Sequence, residues 1–195
     1  MAKRVFFSFH YQDVVDFRAN VVRNHWMAKP DRDESGYFDA SLWEEAKKKG
    51  DIALKRLING GLDRTTVTCV LVGTDTYERP WVRYEICKSI VRGNKLFAVH
   101  INSIKGKNQA TKTLGENPFS WIAVEFSDDA SKYALNYRKS DGKYYYYEEI
   151  ESTRWFNNDV FSKNFPGKNK LLSDFYPIYN WTSDDGFNKF SSWVD

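Results

Sequence analysis

The stretch Val67-Thr68-Cys69-Val70-Leu71-Val72-Gly73, followed by Pro80-Trp81-Val82-Arg83-Tyr84-Glu85-Ile86, decides the fold of this chain. The first segment is a short, continuous apolar run, which is typical of a strand covered on both faces. The second segment begins with proline, which is tolerated as the first residue of a helix. Val82, Ile86 and Ile90 then recur four residues apart and predict one apolar helical face. Together the two segments predict a strand and a helix of a parallel sheet.

The same alternation of strand and helix extends on both sides of this unit. Val5 to Phe9 and Lys95 to Ile101 predict two further strands. A helix capped by Asp13 is predicted next, with Val14, Phe17, Val21 and Val22 on one face and an end near Trp26 to Lys29. A loop at Pro30 to Gly36 and a very short strand at Tyr37-Phe38-Asp39 follow it. A helical region then runs from Ser41 to a stop at Asn59-Gly60-Gly61. Alternating elements predict an α/β fold with a parallel sheet flanked by helices.

The carboxyl-terminal part of the chain has a different pattern. Ser103 to Pro118 is rich in lysine, asparagine and glycine and predicts a long loop. Lys132 to Tyr137 and Lys143 to Tyr147, joined by Ser140-Asp141-Gly142, predict a β-hairpin. A short last helix is predicted after Asp184-Asp185-Gly186. Since no stretch has the composition of a linker, we expect a single domain over residues 1–195, with a core at about 1–125 and an extension at about 126–195 packed on it.

Composition argues against several classes of protein. The 195 residues carry a formal charge of +3, which is too small to predict a nucleic-acid footprint. Cys69 and Cys87 lack CxxC spacing, so we expect buried, reduced thiols, and with the three histidines they form no metal-ligand pattern. The amino terminus has no signal-peptide pattern, and no apolar run is long enough to cross a bilayer. We therefore expect a cytoplasmic protein without a metal site, a membrane contact or a nucleic-acid partner.

The predicted parallel sheet indicates where a ligand binds. Ligands of such sheets lie beyond the carboxyl ends of the strands, which here carry Phe9-His10-Tyr11, Asp39, Gly73 to Thr76 and Asn102. Glu85 lies about one turn into the helix that begins at the same edge, with Trp81 one turn before it. A carboxylate beside an aromatic ring suits glycosidic-bond chemistry, whereas an ordinary exposed ion pair on the helix is the alternative. The pattern alone favours neither.

Two other residues have structural alternatives. His10 could contact a ligand or act as a base, although a histidine at the end of a strand is more often structural. Trp43 could stack on a base or a nicotinamide, although core packing is the commoner role of a single tryptophan. The chain has no Walker loop and no G-x-G-x-x-G after the first strand, so nucleotide triphosphatases and classical dehydrogenases lose their usual support.

Four segments in order, together with the carboxyl terminus, resemble a known family. The segments are Lys3 to His10, Phe38 to Trp43, Thr66 to Gly73 and Trp81-Val82-Arg83-Tyr84-Glu85-Ile86, and the terminus is Asp184 to Val194. They resemble the TIR-like ThsB proteins of bacterial Thoeris antiphage systems over most of the chain. The resemblance implies a flavodoxin-like fold and an enzyme that cleaves the nicotinamide–ribose bond of NAD.

The resemblance also implies roles for particular residues. The catalytic glutamate of the family falls in a W-V-x-Y-E-I segment, which assigns that role to Glu85. The end of the first strand is implied to border the NAD pocket. The predicted NAD-binding residues are Ser8, Phe9, His10, Asp39, Trp43, Gly73, Thr76, Trp81 and Arg83. NAD is then the substrate, and no separate cofactor is expected.

The implied product is a cyclic isomer of ADP-ribose, made after phage infection as a second messenger that activates a partner effector, ThsA. A phage-derived trigger and self-association into a homo-oligomer are further expectations. Three alternatives fit the same sequence: a plain NAD hydrolase that gives linear ADP-ribose, a non-catalytic TIR scaffold that acts by protein association, and a nucleic-acid-binding module that uses the basic loop Lys105 to Lys112.

Overall fold

The chain forms two sheets. In the computed structural model, the described residues are 3–35, 40–63, 65–151, 153–161 and 165–195. These residues contain ten strands: β1 Lys3–Phe9, β2 Arg32–Ser35, β3 Val67–Val72, β4 Lys95–His100, β5 Ile122–Phe126, β6 Lys132–Arg138, β7 Tyr144–Tyr146, β8 Phe156–Asn157, β9 Asn169–Leu171 and β10 Ile178–Asn180. They also contain six α-helices: α1 Tyr11–Val15, α2 Arg18–Met27, α3 Ala40–Lys48, α4 Asp51–Leu62, α5 Pro80–Val91 and α6 Gly186–Val194.

The first sheet is parallel and the second is antiparallel. The parallel sheet has the strand order β10-β4-β3-β1-β2. The antiparallel sheet has the order β7-β6-β5-β9, with β8 paired to β6. The predicted α/β fold with a helix-flanked parallel sheet is therefore confirmed.

The alternation of side chains along β1 separates two hydrophobic cores. Phe6 points to one face of the parallel sheet, where α4, α5 and the second sheet pack against it. Val5 and Phe7 point to the other face and lie in a cluster with side chains of α2 and α6. Every residue of β3 is buried, because both faces of the sheet are covered. The continuous apolar runs predicted this arrangement of the central strands correctly.

The second strand of the sheet lies where the sequence predicted a loop. β2 is a polar edge strand that pairs in parallel with β1. Its charged side chains find partners on neighbouring elements: Asp33 pairs with Arg4 at 2.9 Å, and Glu34 with Arg23 at 2.6 Å. No local apolar pattern marks this strand, because its edge position leaves its polar side chains partly exposed. The strand predicted at residues 37–39 lies outside the described residues.

The first helical region is divided in two and does not form the single helix capped by Asp13. α1 and α2 are separated at Phe17, whose φ of +66° is left-handed. Arg18 follows the break and is buried, donating to two backbone carbonyls of the loop at 101–117 over 3.0 and 2.7 Å. Asp13 lies inside α1 and is buried, whereas Phe17 and Val21 of the predicted apolar face are exposed. The predicted apolar face was right for Val22, which is buried in the core, but the buried guanidinium of Arg18 was not foreseen.

The second helical region is also divided, and its predicted stop is wrong. α3 and α4 are separated at Gly50, which has a φ of +90°. α4 continues through Gly60 and Gly61 to Leu62. Ile58 and Leu62 are both completely buried in the core, so the apolar face of the helix extends beyond the glycines. Tertiary packing of this face outweighs the low helix propensity of glycine.

Gly60→Ala should stabilise the protein by about 0.5–1 kcal/mol. The position is exposed inside α4, and a Cβ atom there would meet no other atom within 4 Å. Alanine loses less backbone entropy than glycine when the helix forms. Urea unfolding of the two proteins measures the difference. A lower free energy of unfolding for the variant would contradict the helical placement of residue 60.

The carboxyl-terminal strands form the predicted hairpin and pack on the parallel sheet. β6 and β7 pair in antiparallel fashion, with Tyr137 opposite Tyr145. The hydrophobic cluster that contains Phe6 includes Val124 and Tyr133 of the second sheet. The last elements return to the parallel sheet, where β10 extends the edge at β4 and α6 joins the core beneath α2. The predicted final helix is confirmed, and residues 101–117 contain no regular element, as expected for the predicted long loop.

Candidate active site

A cleft of about 380 Å³ opens at the carboxyl end of β1, beside the first turns of α5. Its walls come from the junction of β1 with α1, from α3, and from the start of α5. The lining residues are Phe7, Phe9, His10, Tyr11, Trp43, Glu44, Lys47, Arg79, Pro80, Trp81, Val82 and Glu85. The cleft lies at the edge where the sequence predicted a ligand, because parallel strands direct their carboxyl ends to one side of a sheet.

Glu85 reaches this cleft from the second turn of α5 and is only 5% exposed. Its Oε2 accepts a hydrogen bond from the Ser8 hydroxyl of β1 at 2.5 Å. Ser8 is itself completely buried. Burial raises the pKa of Glu85 to about 8, and the hydrogen bond from Ser8 partly opposes that rise. Near neutral pH this carboxyl group is therefore largely protonated, and a modest change in its surroundings can ionise it.

Aromatic side chains form the apolar part of the cleft. Phe9, Trp43 and Trp81 line it, and each is half-buried. Trp43 and Trp81 also pack against the hydrophobic cluster of α4 and α5, and the ring of Trp81 lies edge-on to Tyr84 with centroids 6.1 Å apart. Trp43 thus packs on the core and also lines the cleft, and its stacking on a base or a nicotinamide stays a prediction. Flat, fixed rings of this kind suit stacking on a heterocycle.

Charged and polar groups form the rest of the lining, and they include the exposed carboxylate of Glu44. Arg79 and Lys47 contribute positive charge, and Lys47 is exposed. Burial, and secondarily the charge of Arg79, lowers the pKa of His10 below its usual value. His10 is therefore neutral near pH 7, with one ring nitrogen able to donate a hydrogen bond and the other able to accept one.

The structure does not bring every predicted NAD-binding residue to the cleft. Arg83 extends from the far side of α5, where its guanidinium lies 4.6 Å from the ring centre of Tyr137. Because a helix turns once in 3.6 residues, Arg83, two positions after Trp81, points to the side of α5 opposite the cleft. Gly73 and Thr76 are not among the lining residues. Both are buried, and the Gly73 N–H donates a hydrogen bond to Thr76 Oγ1 at 2.8 Å. Asp39 lies outside the described residues.

Six lining residues were not among the predicted ligand residues, and they are Phe7, Glu44, Lys47, Arg79, Pro80 and Val82. Glu44 and Lys47 follow an ordinary polar helical pattern, so no local signal distinguishes them from solvent-exposed residues. Arg79 could have been found, because it directly precedes the proline that starts α5 at the predicted ligand edge.

The described residues carry few other features of functional sites. Among them, no group of three or more histidine, cysteine, aspartate or glutamate side chains is placed to hold a metal ion. Cys69 and Cys87 are buried free thiols, as predicted. In the described part of the chain, no helix has the length and apolar character needed to span a membrane.

The parallel five-stranded sheet flanked by helices is the fold of a TIR-like domain, and Glu85 lies in the helix after β3. Residues 6–106 match the sequence profile of the family described as "Thoeris protein ThsB, TIR-like domain". The chain is also 54% identical to "Putative cyclic ADP-D-ribose synthase ThsB1" of Bacillus cereus (strain MSX-D12), over 195 residues and the full length of both chains. The chain therefore belongs to the ThsB family of TIR-like proteins of the Thoeris system, which confirms the resemblance seen in the sequence.

Proposed function

We propose that this protein cleaves the nicotinamide–ribose bond of NAD and closes the remaining ADP-ribose into a cyclic isomer. The observation that carries this proposal is the buried carboxyl group of Glu85, which lines an aromatic cleft and accepts a hydrogen bond from Ser8. Membership of the ThsB family and the name of the 54% identical relative support the same reaction.

The chemistry requires one well-placed carboxylate. The bond between C1′ of the ribose and the pyridine nitrogen breaks, and its electron pair leaves with nicotinamide. Because the nicotinamide ring is cationic in NAD and departs neutral, no acid needs to protonate it. The ribose then carries the positive charge of an oxocarbenium ion, which ionised Glu85 stabilises. A nucleophilic atom of the adenosine half bonds to C1′, and one proton is released per cyclic product.

The raised pKa of Glu85 couples its ionisation to binding of the substrate. At a pKa of about 8, the carboxyl group is largely protonated near neutral pH. A cationic nicotinamide ring close to this group favours the carboxylate and lowers its pKa. The negative charge needed for catalysis is then present mainly when NAD occupies the cleft. A group with a pKa in this range is also able to accept the proton that cyclisation releases.

Cyclisation, unlike hydrolysis, requires the cleft to fold the dinucleotide and to exclude water. Phe9, Trp43 and Trp81 offer the apolar surfaces for both tasks. Holding the nucleophile of the same molecule next to C1′ gives it a high effective concentration relative to water. We propose further that the product is a second messenger for the effector ThsA, and that a phage-derived trigger switches on its synthesis.

Mass spectrometry of cells expressing the protein, before and after phage infection, tests this proposal. We expect NAD to fall in infected cells and an ADP-ribose species one water lighter than linear ADP-ribose to appear. Infected cells with an empty vector are the control. Linear ADP-ribose as the sole product would identify an NAD hydrolase. Survival of infection with unchanged NAD would instead favour the non-catalytic scaffold.

Ser8→Ala should move the pH profile of product formation towards alkaline pH. The hydroxyl of Ser8 favours the ionised form of Glu85, so its loss raises the pKa of Glu85 further. Each unit of that rise lowers the ionised fraction about tenfold at neutral pH, and we expect a loss of activity of about that size. Initial rates in lysates of infected cells, measured over a pH series, show both effects.

Ser89→Ala is the matched control for this change. Ser89 is also buried, but its hydroxyl donates to the backbone carbonyl of Glu85 and not to the carboxyl group. We expect this variant to lose some stability and to keep the pH profile of the wild type. Equal shifts in both variants would show that Ser8 does not act through the Glu85 carboxyl group.

A further inference from the structure

The mechanism centred on Glu85 leaves a second feature of the cleft unused, which is the guanidinium of Arg79. Arg79 lines the cleft, and its Nε–H is buried without a hydrogen-bond partner among the described residues. A buried donor without a partner is costly, so such donors in native structures call for an explanation. Among the described side chains, the other end of the group makes one long, exposed contact, to Asp75 at 3.4 Å, which contributes little. The Arg79 side chain is 38% exposed and lines the cleft, so its guanidinium retains N–H groups that can donate to a ligand.

The first turn of α5 points to the same kind of ligand. Arg79 is the residue that precedes this helix; no side chain caps the helix, and its first turn contains no acidic residue. The N–H groups of a first helical turn have no partners within the helix, and the helix dipole places partial positive charge there. Lys47 of α3 adds a second cation to the lining, so that its two cations outnumber the one exposed carboxylate, that of Glu44. The combination favours an anion at this end of the cleft.

The spacing between Arg79 and Glu85 relates this anion site to the proposed chemistry. The two residues are six positions apart, which corresponds to a rise of about 9 Å along a helix. A ribose and its 5′-phosphate can lie between groups at this separation. With the glycosidic bond at Glu85, a dinucleotide is long enough for its linked phosphates to lie at Arg79. The guanidinium is well suited to them, because its planar fork can donate two hydrogen bonds to one phosphate.

We propose that Arg79 and the first turn of α5 bind the pyrophosphate of the dinucleotide. Arg79 thereby acts as a specificity residue, which makes the enzyme select NAD over nucleosides that carry the same nicotinamide–ribose bond. This inference rests on the proposed function, since it assumes that the scissile bond lies at Glu85.

Calorimetric titration with two probes tests the assignment. The probes are NAD and nicotinamide riboside, which share the scissile bond but differ in the pyrophosphate. The titrations use the Glu85→Gln protein, to prevent turnover, with and without Arg79→Gln. We expect Arg79→Gln to weaken NAD binding about tenfold to a hundredfold and to leave nicotinamide riboside binding within about twofold. Arg79→Lys should recover part of the lost affinity, because it restores the charge but not the planar fork.

Arg83→Gln is the matched control, because it removes the same charge from the same helix on the side away from the cleft. It should change neither affinity by more than about twofold. Equal weakening of NAD binding by Arg79→Gln and Arg83→Gln would overturn the proposal. Equal weakening of both probes by Arg79→Gln, or no saturable binding of NAD, would also overturn it. Wild-type protein that leaves NAD unchanged in infected cells would instead reject the proposed function, and this binding comparison would remain interpretable.

Discussion

Glu85→Gln should reduce formation of the cyclic product by about a thousandfold or more. Glutamine has nearly the same shape as glutamate, and it can still accept the hydrogen bond from Ser8. It cannot supply the negative charge that stabilises the oxocarbenium ion or accept the released proton. Quantitative mass spectrometry of infected cells that express equal amounts of the two proteins measures the loss. A variant that retained a tenth of the wild-type product would contradict a catalytic role for the carboxylate.

The same substitution should stabilise the folded protein at alkaline pH. The pKa of Glu85 is raised from 4.5 to about 8 by burial, so the folded state holds this proton more tightly than the unfolded chain. The resulting stabilisation is fully present below about pH 4.5 and is lost as the pH rises through about 8. Glutamine does not ionise, so the variant avoids this loss. Above pH 8 the variant should be more stable than the wild type by on the order of 4 kcal/mol.

Urea unfolding at acidic and alkaline pH measures this difference in stability. Glu44→Gln provides the control, because it removes an exposed carboxylate from the same cleft. We expect it to change the free energy of unfolding by less than about 0.5 kcal/mol at either pH. If Glu85→Gln has the same stability difference from the wild type at both pH values, Glu85 is not buried in solution. If Glu85→Gln lowers activity but raises stability, the folded protein holds the Glu85 carboxylate in an environment that costs stability and serves catalysis.

Phe190→Ala should destabilise the protein by about 3–5 kcal/mol. The ring is completely buried beneath the parallel sheet. It lies with its centroid 6.1 Å from that of Phe7 in β1, 5.7 Å from Trp26 in α2 and 5.8 Å from Phe97 in β4. Its removal leaves a cavity between three elements that cannot all move to fill it. Urea unfolding with tryptophan fluorescence measures the loss.

Phe187→Ala tests the same helix on its outer side. Phe187 is 65% exposed and contacts the ring of His25 at a centroid distance of 4.5 Å. We expect a loss of less than about 1 kcal/mol. Similar losses for the two variants would contradict the placement of α6 against the parallel sheet. A single unfolding transition in both proteins would support our proposal that the two sheets belong to one domain.

The central strands were predictable because their pattern is local. β1, β3 and β4 are largely continuous apolar runs, because both faces of the sheet are covered and side chains on either face must be apolar. The start of α5 was predictable for the same reason, since Pro80 favours the first helical position. These features depend on neighbours within a few residues along the chain.

Long-range pairing decided the parts that were predicted incorrectly or missed. β2 is a strand because β1 lies beside it, and β10 joins the sheet by pairing with β4, about 80 residues earlier. The break before Arg18 accompanies the contact of its guanidinium with the loop at 101–117. The sequence within a few residues of each element does not indicate which distant segment will pair with it. The antiparallel sheet likewise gains β9 from a segment of three residues, too short to have a period of its own.

The sequence by itself determined the family, the parallel core and Glu85 as the candidate catalytic residue, because motif spacing and apolar period are local properties. Only the tertiary structure decided that Glu85 is bonded to Ser8, 77 positions away, and that Arg79 faces the cleft while Arg83 faces Tyr137. The physical reason is that desolvation and hydrogen bonding depend on which elements meet in space. A carboxyl group that would be an ordinary acid on an exposed helix acquires a pKa of about 8 when β1 covers it.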